Sequence, residues 1–372
     1  MSVYSRHFKG DYLICCPSLK APGGVSNYYR IIKGKTGNSN SVAFFEAGGN
    51  AGTGFGIIAE GVTDTFSFIK MLLKSRYRVI LLNPSLLPRS ILRNLIFLII
   101  ARFFRLKVIV FWHGFNLDVA DKIKLKWSQV FSALFNCADL TVVLSAEFRE
   151  RLLNLGIKHS IVVFRTLVDE AQFRTFKIEK KKSDPIRLLF LSRIEKNKGI
   201  REAIAAFQVL KKKYPDITFD VVGEGPLLQL LRRFLPQKSG ICFHGYKIGV
   251  EKELLFKNAQ IFVFPSYTEG MPTCVIEAMA FGLPVVTTMV GGLADFFEEG
   301  RHGLIAEKKD ARSLAKAISI LIDKPVMRRK MGKENREYAK KHFYASAAVQ
   351  ELLDFIKQVD SGQSKKLPTF WW

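Results

Sequence analysis

The feature that most constrains this chain is an alternation of short apolar runs with longer amphipathic segments, repeated in two series. The first series predicts strands at Tyr12–Cys16, Val42–Glu46, Arg78–Asn83, Lys107–Trp112, Leu140–Leu144 and Ser160–Phe164. The second predicts strands at Arg187–Ser192, Thr218–Val222, Ile241–His244, Ile261–Phe264 and Pro284–Thr287. Strands that alternate with helical segments build parallel sheets covered on both faces. Two series, in a chain of 372 residues that is 48% apolar, predict two doubly wound α/β domains, each with its own core. The break falls at Glu170–Pro185, where a run of charges ending in Pro185 has little apolar period. The expected layout is a first domain over 1–170, a linker over 171–185, a second domain over 186–345, a helix over 346–360 and a tail over 361–372.

Net charge is +24, and it is concentrated early: residues 1–110 hold 15 Lys/Arg against 4 Asp/Glu, among many Phe, Ile and Leu. Cations set among apolar residues fit an anionic membrane surface. A solvated basic face would have the same composition. No C2H2 spacing, basic zipper region or aromatic RNA-binding signature accompanies the charge, so no nucleic-acid partner is expected. Ser90–Val110 is the greasiest segment, but its uncharged stretch, Asn94–Ala101, is far short of the ~20 residues that span a bilayer. A helix there carries Leu92, Leu95, Ile96, Ile99 and Phe103 on one side, which suits either a core helix or one lying in a membrane interface. The end of the chain, Phe370–Trp371–Trp372 beside Lys365 and Lys366, reads either as a disordered tail or as an interfacial anchor. Five cysteines (Cys15, Cys16, Cys137, Cys242, Cys274) form no CxxC pair, which argues against a disulfide framework or zinc site and fits a reducing compartment. Arg6, Lys9 and Asp11 interrupt the N-terminus before any signal-like apolar run. The expectation is a cytoplasmic protein, peripheral on the inner face of the membrane.

In open α/β sheets, ligands gather at the carboxyl ends of the strands, so the residues just after each strand carry the chemistry. After the strand ending at Phe264, Glu269 and Gly270 lie in a loop and Pro272 suits the first turn of a helix running to about Phe281. The start of that helix, around Thr273 and Cys274, is a ready phosphate site. Glu277, one turn in, is an acceptor for ribose hydroxyls, and Glu269 for hydroxyls of a sugar. A helix-start acid favoured by the dipole is the plainer alternative. Arg193 and Lys198 follow the strand ending at Ser192, where two fixed cations would stabilise a departing diphosphate; two surface cations would look alike. The sequence has no DxD pair to hold Mg²⁺, so no metal site is expected. Gly223, Glu224 and Gly225, and later Gly291 and Gly292, permit close backbone approach to a ligand or form ordinary turns. In the first half, Pro22–Gly23–Gly24–Val25 is a faint glycine loop, and His113 stands at a strand end, with Ser145 and Asp169 in similar places.

Three stretches carry a resemblance: SRIEKNKG at Ser192–Gly199, VVGEGP at Val221–Pro226, and PSYTEGMPTCVIEAMAFGLPVVTTMVGG at Pro265–Gly292. Together they resemble the retaining GT-B glycosyltransferases of the family 4 type, the glycosyl transferases group 1. The resemblance covers roughly Leu188–Leu321. It implies a GT-B fold of two Rossmann-like domains facing a cleft, with a helix near Ala345–Val359 crossing back to the first domain. It implies a nucleotide-diphosphate sugar, UDP-linked by family frequency, as substrate, with no cofactor or bound metal. By the same likeness the catalytic residues are His113, Glu269, Arg193 and Lys198. The donor site comprises Gly24, Arg193, Lys198, Gly223, Glu224, Glu269, Gly270, Met271, Pro272, Thr273 and Glu277. Where such proteins often read Asn-Gly-Val-Asp, this chain has Thr166–Leu167–Val168–Asp169. The implied activity is retaining sugar transfer to a glycan or lipid-linked acceptor in cell-surface polysaccharide or lipopolysaccharide synthesis. A sugar-nucleotide epimerase or phosphorylase, or a non-catalytic basic membrane- or anion-binding protein, would be the alternatives on such a fold.

Overall fold

A computed structural model describes residues 11–37, 41–48, 55–114, 117–173, 185–236, 239–364 and 367–370. The chain divides into two compact units, Met1–Thr166 with Ala345–Trp372, and Leu167–Tyr344.

The first unit runs β1 (Tyr12–Cys16), α1 (Gly24–Thr36), β2 (Val42–Glu46), α2 (Phe55–Lys74), β3 (Val79–Leu82), α3 (Pro88–Phe103), β4 (Lys107–Trp112), α4 (Leu117–Lys126), α5 (Ser128–Phe135), β5 (Leu140–Val143), α6 (Ala146–Asn154) and β6 (Ile161–Val163). All six strands are parallel, in the order β2-β1-β3-β4-β5-β6. β3 to β6 are buried at nearly every position, as a sheet covered on both faces requires. One face packs against α2, α3, α5 and α6, whose inner residues, among them Phe68, Phe97, Phe131 and Phe148, join the strands in one core cluster. Phe68 of α2 and Phe97 of α3 stack with ring centroids 4.4 Å apart.

The second unit runs β7 (Arg187–Leu191), α7 (Ile200–Lys213), β8 (Thr218–Val222), α8 (Leu228–Phe234), β9 (Ile241–Gly245), α9 (Gly249–Asn258), β10 (Ile261–Phe264), α10 (Thr273–Ala280), β11 (Val285–Thr287), β12 (Gly303–Ile305), α11 (Ala311–Asp323) and α12 (Pro325–His342). Its parallel sheet is ordered β12-β11-β10-β7-β8-β9. Renumbered within the unit this is 3-2-1-4-5-6 read from the opposite edge, the Rossmann order, with its reversal between β7 and β10. The short edge strand β12 has no counterpart in the sequence reading, because three residues give no periodic signal.

The last helix, α13 (Ala345–Asp360), belongs to the first unit and packs on α1 and β3. Lys107 Nζ donates to Val359 O at 3.1 Å, and Arg78 pairs with Asp360 at 3.0 Å. The unit boundary falls earlier than the predicted linker. Leu167 and Val168 are buried, Val168 N donates to Phe343 O, and Phe173 stacks against Tyr344. These apolar anchors outweigh the charged run that follows, and 174–184 of the expected linker lie outside the described residues. So do Lys365, Lys366, Trp371 and Trp372.

Of the two roles open to the Leu92–Phe103 face of α3, packing in the core is not the one it takes. Asn94, Phe97, Leu98 and Ala101 are buried, whereas Leu92, Ile96, Ile99 and Phe103 are exposed. Leu95 alone of the expected face is half-buried against the core. Among the described residues no helix is long and apolar enough to cross a membrane.

Candidate functional site

Strand order reverses between β7 and β10, and in sheets of this kind the carboxyl ends of the strands at such a reversal are where ligands bind. Lys198 ends a single 3-10 turn after β7, and Glu269 lies in the loop after β10. Their side chains meet as an ion pair of 2.6 Å, each only 12% exposed. Ser266 Oγ also donates to Glu269 Oε1 at 2.7 Å. Glu269 Oε2 has no protein partner among the described residues.

Backbone hydrogen bonds tie the surrounding loops together. Tyr267 N donates to Asn197 O at 2.8 Å, joining the loops after β10 and β7. Ile194 N donates to Glu224 O at 2.8 Å, joining those after β7 and β8. Gly223 has φ +135°, and a Cβ there would stand 1.8 Å from Ser192 O. Gly291 has φ +53°, and a Cβ there would stand 2.1 Å from Glu269 O. Both positions therefore demand glycine, because the loops approach backbone to backbone. Gly292 N donates to Gly270 O, fixing the turn that leads through Met271 and Pro272 into α10. Pro272 is the N-cap residue rather than the first helical one, and no side chain caps this end.

Glu277, one turn into α10, is buried and pairs with Lys252 of α9 at 2.7 Å. Cys274 lies between the two acids. Burial, then the charges of Glu269 and Glu277, push its thiol well above the ordinary range, against an opposing pull from Lys198. Two carboxylates and two ammonium groups thus cluster about the start of α10, where backbone N–H groups favour an anion.

Arg193 is not drawn into this cluster by any contact among the described residues. It lies 70% exposed and pairs with Glu195 at 2.8 Å. Glu224 contributes backbone, its side chain being exposed. In the first unit, Gly24 opens α1 behind Gly23, whose φ is +126°. His113 directly follows β4 and is buried among Tyr28, Tyr29 and Phe111, with ring centroids 4.6, 5.3 and 4.0 Å away. His113 Nε2 and the Tyr29 hydroxyl are hydrogen-bonded at 3.1 Å. Burial lowers its pKa to about 3, so the ring is neutral at neutral pH. Ser145 caps α6, accepting from Phe148 N, and Asp169 accepts from Ala171 N, so both serve local structure.

The sequence reading missed Lys252 and Ser266. Ser266 stands three residues before Glu269 in the same loop, and only the loop's folding turns its hydroxyl onto that carboxylate. Lys252 sits between Glu251 and Glu253 like any solvated helix residue, so only the fold shows its partner 25 positions on. For metal ligation, Asp220, Cys242 and His244 each bring one ligand atom within 4.8 Å of the others. They lie on β8 and β9, and Asp220 Oδ1 already holds His244 Nε2 at 2.7 Å.

Two parallel six-stranded sheets with flanking helices, and paired charges beyond the switch point of the second, define a GT-B-type α/β protein. The likeness to solved structures agrees: the Anabaena HepE structure in complex with UDP-glucose superposes with a TM-score of 0.73, at 18% identity, over 93% of this chain and 99% of that one. The model of the family Glycosyl transferases group 1 matches residues 171–338, the greater part of the second unit. It is 27% identical over 223 residues to WcaL, a glycosyltransferase named for colanic acid biosynthesis in Escherichia coli strain K12, covering 57% of this chain and 54% of WcaL. It is 27% identical over 232 residues to the capsular polysaccharide biosynthesis glycosyltransferase CapM of Staphylococcus aureus, covering 58% of this chain and 60% of CapM. The matched stretch thus spans little more than half the length of these relatives.

Proposed function

We propose that this protein transfers a sugar, with retention of anomeric configuration, from a nucleotide-diphosphate donor to a glycan or lipid-linked acceptor in cell-surface polysaccharide or lipopolysaccharide synthesis. The observation that carries the reading is the Lys198–Glu269 pair at the start of α10, backed by Lys252–Glu277. A donor diphosphate fits the α10 N-terminus, where Lys198 meets the charge that develops as the bond from the anomeric carbon to phosphate breaks. Glu277, oriented by Lys252, accepts from the ribose hydroxyls. Glu269 Oε2 accepts from the sugar. The acceptor hydroxyl oxygen bonds to the anomeric carbon from the face the phosphate leaves, and its proton passes to the departing phosphate oxygen. Neutral His113 of the first unit offers a hydrogen bond to the acceptor, and Arg193 adds a second cation. On this scheme charge is neutralised by side chains and helix dipole and needs no bound metal. UDP is the proposed nucleotide, supported by the UDP-glucose held by the HepE structure. The relatives' names support the polysaccharide setting. The cytoplasm and the inner membrane face, where nucleotide sugars and lipid-linked glycans meet, are the proposed location.

A thermal-shift panel of UDP, GDP, ADP and their sugars tests this directly, because a ligand of the folded state raises Tm with log affinity. The expected result is a UDP-dependent rise that Glu277→Gln abolishes. A chain that responds to none of these nucleotides would sink the reading.

A further inference from the structure

Two neighbouring helices of the first unit repeat one pattern of exposed apolar residues. On α3, Leu92, Ile96, Ile99 and Phe103 are 62%, 37%, 54% and 84% exposed. On α2, Val62, Phe66 and Leu73 are 49%, 70% and 71% exposed, with Ile69 half-buried. Both sets follow i, i+4, i+7, i+11, so each forms a stripe along one side of its helix. α2 and α3 pack side by side on the same face of the sheet, with Phe68 and Phe97 stacked beneath. α4 and α5 continue the character with Leu125, Trp127 and Val130, exposed at 82%, 61% and 52%. α6, covering the same sheet face, is the contrast: its outer side carries Glu147–Arg151 and Arg149–Glu150 ion pairs.

Cations flank the apolar stripes. Lys70, Lys74, Arg76, Arg89 and Arg105 are exposed and form no ion pair among the described residues. The same holds for Lys122, Lys124 and Lys126 beside Leu125 and Trp127. α3 contains no acidic residue. An apolar ridge on its own would fit a second protein. A ridge edged by unpaired cations, with a Trp set among lysines, has the complement of an anionic lipid interface. No described helix can span a bilayer, so the ridge lies along the interface rather than crossing it.

We infer that the outer face of α2 and α3, extended by Leu125 and Trp127, docks this protein on a bilayer of anionic phospholipid. This rests on the proposed reading in one respect, that a lipid-linked acceptor gives the docking its purpose. The test is co-sedimentation of the full chain with vesicles of phosphatidylcholine alone or with phosphatidylglycerol added, at low and high salt. Binding is expected only with phosphatidylglycerol, weakening as salt rises. The pair Phe66→Ser/Phe103→Ser removes apolar area, and Lys70→Glu/Arg89→Glu reverses charge; each is expected to weaken binding at least about tenfold. All four side chains are exposed, and an unchanged UDP-dependent Tm shift shows that each variant is folded. Leu153→Ser on α6 is the control that should bind normally. Equal binding to neutral vesicles, or full binding by both variants, would overturn the inference. So would a dimer in light scattering that Phe66→Ser/Phe103→Ser makes monomeric, since a second copy would then be the occupant. Sugar transfer to a soluble acceptor distinguishes the two failures: transfer without vesicle binding sinks the docking alone, and vesicle binding without nucleotide binding or transfer sinks the proposed function alone.

Discussion

The two units share a parallel six-stranded plan but use their strand ends differently. In the second, charged side chains converge at the β7/β10 reversal: Lys198 meets Glu269 at 2.6 Å and Lys252 meets Glu277 at 2.7 Å. In the first, the residue just after β4 is a neutral histidine clasped by three aromatic rings, and cations unpaired among the described residues lie outside on α2 and α4. One unit spends its polar residues on a preorganised anion site. The other packs aromatic rings around its strand-end histidine and carries those cations on the outer side of α2 and α4. A site built from fixed charges should fail sharply when one is removed, whereas an uncharged pocket should respond mainly to packing and to protonation.

The largest effect should come from Glu277. Glu277→Gln leaves the half-buried Lys252 without its counter-ion, and breaking a fully buried pair costs about 3–5 kcal/mol, which sets the upper bound here. Chemical denaturation should show that loss. The double variant Lys252→Met/Glu277→Gln should recover much of the stability yet still bind UDP weakly by calorimetry. If it bound UDP normally, Glu277 would be only structural, and the contrast between the units would lose its functional half.

Next is Lys198. Lys198→Ala removes the cation nearest the proposed leaving group, and loss of one such preorganised group costs about 10²–10³-fold in kcat. Transfer assays should show kcat falling far more than KM changes. A variant with full kcat would mean that the Lys198–Glu269 pair merely pins two loops together.

The first unit should respond to pH instead. His113 has a folded pKa of about 3, depressed by burial below the value of about 6.5 it has when unfolded. Below pH 6.5 the unfolded chain takes up a proton that the folded chain refuses, so stability is lost as pH falls. Each unit of pH below that point costs up to about 1.4 kcal/mol until the folded ring titrates. His302, held down to about 4 by burial and by Arg301, acts in the same direction from the second unit. Urea titrations from pH 7 to pH 4.5 should therefore slope less steeply for His113→Asn than for the parent chain. Parallel slopes would show that His113 is better solvated than its aromatic clasp implies.

The same contrast explains what the sequence could reveal. Strands were legible in both units because buried parallel strands are continuous apolar runs, as Val108–Trp112 and Ile261–Phe264 are. The second-unit site was legible because its chemistry is local: Arg193 to Gly199 and Glu269 to Glu277 each sit on one short stretch. Lys252 was not, since its role depends on α9 lying beside α10. Nor was the clasp on His113, which draws Tyr28 and Tyr29 from α1, more than 80 positions away. Which of its two possible roles the Leu92–Phe103 face of α3 takes was not legible for a related reason. Leu92, Ile96, Ile99 and Phe103 keep helical spacing as faithfully as Phe97, Leu98 and Ala101 do, and period alone does not say which side meets the sheet.

Arg193 gives the smallest effect and the finest discrimination. Sequence placed it with Lys198 as one half of a diphosphate clamp, yet it stands 70% exposed and paired with Glu195, and exposed pairs contribute about 0–1 kcal/mol. Arg193→Ala should therefore leave the denaturation midpoint nearly unchanged. If its guanidinium leaves Glu195 for the donor phosphate, kcat should still fall, by about tenfold, the worth of one charge-assisted contact near 1.4 kcal/mol. Glu195→Gln would then free the arginine and leave kcat intact or raise it. If Arg193→Ala and Glu195→Gln are both silent, Lys198 and the start of α10 meet the diphosphate without Arg193, and the second unit's site is confined to the groups already joined around Glu269 and Glu277.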